Sequence, residues 1–160
     1  MNTVFIGLGA NLDDPIAQLH NAVGALRSLA QCQLITVSKF YASKPMGPQD
    51  QPDYVNAVAK LSTSLAPEAL LDSLQKIELE QGRQRKSERW GPRTLDLDIL
   101  LFANDIINTP RLVVPHYGLC QREFVVYPLL ELEPELILPD GRTLQSISNN
   151  VALNNLIPLN

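Results

Sequence analysis

Residues 82–102, GRQRKSERWGPRTLDLDILLF, set a run of positive charge directly ahead of an apolar segment carrying Asp96 and Asp98. The segment 94–102 alternates through its first six residues, the period of a strand. Successive strand side chains point to opposite faces. Leu95, Leu97 and Ile99 therefore share one face, and Asp96 and Asp98 the other. Carboxylates two residues apart on a strand stand roughly 7 Å from each other. They repel unless a cation lies between them, and Mg²⁺ is commonly held by one or two carboxylates plus substrate phosphates. A half-exposed strand with an acidic outer face would show the same D-x-D.

The basic run favours the first alternative. Arg83, Arg85, Lys86, Arg89 and Arg93 are five of the chain's 13 Lys and Arg residues, while the chain carries a net charge of −4. Such a run is often only a solvated loop. This one leads through Trp90-Gly91-Pro92 straight into two carboxylates, and arginine forks pair bidentately with phosphate oxygens. An anion binder next to a cation binder suits a nucleoside triphosphate with its Mg²⁺.

The fold follows from what surrounds this stretch. Residues 3–10 (TVFIGLGA) read as a buried strand, with residues 7–12 closing it in a tight turn. That turn begins like a dinucleotide fingerprint but carries Leu12 where the third glycine belongs. Asp14 and Pro15 are a helix cap and first residue, followed by Ile16, Leu19, Val23 and Leu26 on one face. Residues 32–41 read as a second strand, 42–53 as a long proline-rich connection, and 54–63 as a third strand. Tyr54, Asn56 and Val58 share one face of that third strand. The ring and amide could grip a flat heterocycle, or simply face solvent.

Pro67 opens a second helix with Leu70, Leu74 and Ile77 inward and Gly82 as its stop. After the acidic strand come a hairpin turn at Asn104-Asp105 and an extended piece at 112–115. A helix over 121–132 should kink or start at Pro128. Pro139-Asp140-Gly141 is a tight turn, and 144–160 reads as a short helix with a loosely held end. The order βαββαβ predicts an α+β ferredoxin-like sandwich with an extra C-terminal hairpin and helices.

At 160 residues the chain is expected to form one domain. Cys32 and Cys120 fit no paired framework and read as free thiols of a reducing cytosol. No signal segment or membrane span is evident. The acidic balance argues against bulk nucleic-acid binding.

Residues 89–100, RWGPRTLDLDIL, resemble the signature of the 6-hydroxymethyl-7,8-dihydropterin pyrophosphokinases of folate biosynthesis, in the short monofunctional bacterial form. The loop GPQDQPDY at 47–54, Asn56, residues 78–83 and Val114-Pro115-His116-Tyr117 match as well, so the likeness covers essentially the whole chain. The resemblance implies attack of the pterin hydroxymethyl oxygen on the β-phosphorus of ATP, with AMP leaving. It implies two Mg²⁺ ions on Asp96 and Asp98, and Arg83 and Arg93 on the triphosphate in a closing loop. It further implies Gln75, Glu78, Arg85, Lys86, Trp90, Ile99, Arg111, His116, Tyr117 and Arg122 around ATP. Ser43, Lys44, Met46, Tyr54, Asn56, Trp90 and Phe124 would surround the pterin, with Tyr54 and Phe124 sandwiching it. ATP is the expected co-substrate and a monomer the expected state. Lys44 and Val113 depart from close relatives, which puts loop stiffness and ATP affinity in question.

Two other classes share these features. One is a non-catalytic ferredoxin-like regulatory or RNA-binding module, although an RNA reader would place aromatics where this chain has aspartates. The other is a nucleotidyltransferase using the same carboxylate pair.

Overall fold

The computed structural model of the chain describes residues 1–11, 14–43, 54–82 and 95–159. Its main sheet has β1 (Asn2–Ala10) at the centre, flanked by β4 (Tyr54–Thr63) and β5 (Asp96–Phe102), both antiparallel to it. The far side of β4 is shared by β2 (Cys32–Val37) and β3 (Tyr41–Ser43). Counting β2 and β3 as one interrupted strand gives the ferredoxin-like order 4-1-3-2 expected from the sequence. The expected strand 32–41 is thus broken. Residues 38–40 leave the ladder, and the Ser38 side chain accepts from the Val58 N–H instead.

The strand expected over residues 3–10 is β1, and residues 7–10, also expected in the turn that closes it, stay within that strand because it is paired along both sides. Helices α1 (Pro15–Arg27) and α2 (Pro67–Ile77) cover one sheet face. Leu19, Ala22 and Leu26 of α1 and Leu70, Leu74 and Ile77 of α2 meet Val4, Ile6, Leu8, Ala57, Leu61, Leu97 and Ile99 there. Ile16, expected inward, is exposed, and Ala22 is buried along with Leu19 and Leu26. Asp14 caps α1 by accepting from the Ala17 N–H, with Pro15 first in the helix. The α-helical geometry of α2 ends at Ile77 and relaxes into a π-helical turn, Glu78–Gly82, so Gly82 ends the turn rather than the α-helix.

The second sheet face is covered by α3 (Glu123–Leu132) and α4 (Leu144–Ser148). Val125, Val126 and Leu129 of α3 and Leu144 and Ile147 of α4 pack on Phe5, Val58, Leu100 and Leu101. Helix α3 starts two residues later than expected and runs through Pro128. A bulge between Phe5 and Ile6 in the β1–β5 pairing lets Leu100 and Leu101 both join this core. The turn after β5 leads not to a hairpin with β5 but to a separate pair, β6 (Ile107–Asn108) with β7 (Val113–Val114). The tail is not loose: β8 (Ile157–Pro158) pairs with β3. Both cysteines are free thiols. Among the described residues no helix is long and apolar enough to cross a membrane.

Candidate active site

One row across the sheet defines the site. Tyr41 of β3 faces Asn56 of β4, Asn56 faces Gly9 of β1, and Gly9 faces Asp96 of β5. One step along, Val58, Gly7 and Asp98 form the next row. The two glycines leave a floor without side chains between the amide and the carboxylates. Glycine inside a strand commonly marks the close approach of another group. The space above is a cavity of about 220 Å³ lined by Gly7, Gly9, Tyr54, Asn56, Asp96, Asp98, Leu100, His116, Arg122 and Phe124, with Leu8, Ala57 and Val125. Asn56 and Asp96 lie two strand spacings apart, roughly 10 Å.

Asn56 is held from behind. The buried Ser43 hydroxyl donates to its Oδ1 at 3.0 Å, and its Nδ2 reaches toward Gly9, where a β-carbon would stand only 2.9 Å away. Ser43 therefore supports the amide.

The carboxylates face a positive wall. The Leu100 carbonyl, at the bulge, accepts from the His116 N–H at 3.1 Å and anchors that turn beneath β5. The Gly118 N–H donates to Nδ1 of His116 at 3.1 Å, which leaves the proton of the neutral ring on Nε2. That Nε2 lies 3.9 Å from Oδ2 of Asp98. Burial pulls the imidazole below its ordinary value, Asp98 pushes it up, and the Arg122 guanidinium pushes it down, the net shift being downward. Tyr117 stacks on His116 with ring centres 4.5 Å apart, and Arg122 lies over Tyr117 at 4.9 Å while donating to its hydroxyl. Arg122 is also 5.8 Å from the centre of the Phe124 ring.

Of the residues singled out in the sequence, Tyr54, Asn56, Asp96, Asp98, His116, Arg122 and Phe124 meet at this cavity, with Ser43 behind and Tyr117 stacked beside it. Four others lie elsewhere. Ile99 points into the opposite core, as the strand period requires, so only its backbone could serve a nucleotide. Glu78 is buried and accepts from the Leu97 N–H. Arg111 bonds Asp72 at 2.6 Å and Gln75 at 3.3 Å along the outer side of α2. Lys44, Met46, Arg83, Arg85, Lys86, Trp90 and Arg93 fall outside the described residues. Of the two departures from close relatives, Lys44 lies there too, and Val113 is exposed on β7. The sequence reading missed Gly7 and Gly9. Their signal was two glycines at alternate positions in an otherwise apolar strand.

Asp96 and Asp98 offer hard oxygen donors on one face. Among the described residues no group of three or more His, Cys, Asp or Glu side chains could hold a metal by itself. That donor set suits Mg²⁺, which fills its remaining positions from water and phosphate.

Fold and cavity together define a ferredoxin-like α+β protein with a carboxylate-edged, aromatic-walled cleft. Comparison with known proteins makes this specific. The family model for 7,8-dihydro-6-hydroxymethylpterin-pyrophosphokinase (HPPK) matches residues 5–134. A Haemophilus influenzae protein named 2-amino-4-hydroxy-6-hydroxymethyldihydropteridine pyrophosphokinase is 53% identical over 160 residues, covering 100% of this chain and 99% of its own. A protein of the same name from Pseudomonas aeruginosa is 55% identical over 144 residues, covering 90% and 88%. A crystal structure of HPPK-DHPS in complex with substrates superposes with a TM-score of 0.72 at 13% identity, over 94% of this chain and 45% of that one. The chain spans less than half of that structure, which at such identity speaks to the fold alone. The chain belongs to the HPPK family.

Proposed function

We propose that this chain moves a pyrophosphoryl group from ATP to the hydroxymethyl group of 6-hydroxymethyl-7,8-dihydropterin, a step of folate biosynthesis. The observation that carries this reading is the row Asn56–Gly9–Asp96. It sets a heterocycle-reading amide and a carboxylate one bicyclic ring apart, over a floor cleared by glycine. The names of the H. influenzae and P. aeruginosa relatives agree with it.

Tyr54 and Phe124 offer flat apolar surfaces to the pterin, and Asn56 reads its polar edge. The hydroxymethyl group then points along the row toward Asp96 and Asp98. Mg²⁺ on those carboxylates, two ions in this reading, supplies charge neutralisation for the triphosphate and a template for in-line displacement. Arg122 and the neutral His116 Nε2–H donate toward phosphate oxygens on the other wall. Arg83 and Arg93, which precede β5 in the chain, contribute further positive charge. The hydroxymethyl oxygen bonds to the β-phosphorus, the bond from that phosphorus to the AMP oxygen breaks, and the hydroxyl proton is lost to solvent. Such chemistry rests on positioning and charge, not on a protein nucleophile.

The test is incubation with ATP, Mg²⁺ and the pterin. AMP together with a diphosphorylated pterin is expected. ADP would indicate single phosphoryl transfer, free pyrophosphate a nucleotidyltransferase, and absence of ATP binding a non-catalytic module. Each of these outcomes would overturn the proposal.

A further inference from the structure

Glu78 is a carboxylate where the helical period calls for an apolar residue. Leu70, Leu74 and Ile77 form the inward stripe of α2, and position 78 continues it, four residues after Leu74. The side chain is only 6% exposed. Burying a carboxylate is costly unless it is hydrogen-bonded. Here it accepts from the Leu97 N–H at 2.7 Å.

That acceptor sits at a consequential place. β5 is the edge strand of the sheet, with β1 on one side only. Alternate N–H groups of an edge strand face away from its neighbour and need another partner. Leu97 lies between Asp96 and Asp98, and its own side chain is buried on the opposite face. The π-helical turn Glu78–Gly82 begins at the residue that makes the bond. π-helical turns inside α-helices occur often at functional sites.

We propose that Glu78 is a positioning residue for the aspartate pair. It clamps the outer edge of β5 at Leu97 and so fixes the direction in which both carboxylates leave the strand. The clamp acts through an acceptor oxygen, not through contact with nucleotide or metal. This rests on the proposed activity, since what it positions is that activity's cation-binding pair.

Two substitutions separate the roles. Glu78→Gln keeps an acceptor oxygen and removes the charge. Glu78→Met keeps the volume and removes the acceptor. Amide hydrogen exchange at Leu97 is read in the metal-free protein, beside kcat and the KM values. Glu78→Gln should retain Leu97 protection and kcat within a few-fold of wild type. Glu78→Met should lose protection and lower kcat by roughly 10- to 100-fold, the usual effect of removing an outer-shell partner. The KM for the pterin should not move. Should Glu78→Met not fold, Glu78→Gln decides alone: keeping both protection and kcat supports the clamp, and losing both overturns an acceptor role that needs no charge. Protection kept with kcat lost, or protection lost with kcat kept, overturns it. Wild-type protein that forms no AMP would sink the functional reading itself. Active wild type with an equally active Glu78→Met variant would sink only the clamp.

Discussion

A β-carbon on Gly9 would stand 2.9 Å from Nδ2 of Asn56, whereas one on Gly7 would meet Leu100 at 3.3 Å, against the end of a flexible side chain. Gly9→Ala must therefore turn the Asn56 amide or break its bond from Ser43. We expect the KM for the pterin to rise at least about tenfold, equivalent to about 1.4 kcal/mol, with ATP binding unchanged. Gly7→Ala should do much less. Steady-state kinetics on both variants checks this, and equal effects would mean that the floor is not the pterin's. Asp98 gives the complementary case. Its side chain is 51% exposed, so Asp98→Asn should shift stability by no more than about 0.5 kcal/mol. Turnover should nevertheless fall roughly 100-fold or more, because carboxylate charge is what holds a divalent ion. Melting and single-turnover rates together test this. The aspartates were legible because period-2 alternation placed them on one face. Gly7 and Gly9 were not, since a pair of glycines near a strand end reads locally as a turn. What keeps them in the strand is pairing with both β4 and β5.

Local chemistry decided the elements where it was strong. Asp14 and Pro15 announced α1, and Leu70, Leu74 and Ile77 announced α2. It failed where tertiary contacts ruled. Ile16 has helical spacing but lies in the exposed first turn, and Pro128 sits inside α3 because that helix is held against the sheet by Val125, Val126 and Leu129. The cap of α1 combines two demands. Asp14 accepts from the Ala17 N–H and also adopts a left-handed backbone, φ 62°. Alanine meets neither demand, while glycine meets the second at little cost. Asp14→Ala should destabilise the protein by about 1–2 kcal/mol, and Asp14→Gly by only a few tenths. Denaturant unfolding measures both. Equal losses would show that the hydrogen bond alone matters.

At the scale of the molecule, the site lies on the sheet face that α3 covers only in part, so the cleft opens where Phe124 and Val125 of its first turn meet the glycine floor. The ferredoxin-like plan was legible from the succession of elements, because βαββαβ is a recurring arrangement of four strands with two helices on one face. The closing contact was not. Residues 157–158 show no periodicity, and they pair with Tyr41 and Ala42 from the other end of the chain. The Leu159 N–H also donates to the Phe40 carbonyl at 2.8 Å. This clip fastens the outer edge of β3, a three-residue strand that ends at Ser43, the support of Asn56. Deleting residues 157–160 keeps the buried Leu156 and removes the exposed side chains of residues 157–159 together with the clip. Unclipped, β3 has one partner, and a strand of three residues paired on one side is held weakly. Its fraying would release the Ser43 hydroxyl from Asn56, a bond contributing about 1 kcal/mol. We expect the truncated protein to bind the pterin several-fold more weakly, to bind ATP as before, and to melt only slightly earlier. Calorimetric titration with each substrate separates these outcomes. Parallel loss of both affinities would show that the tail supports the whole fold rather than the pterin side of the cleft.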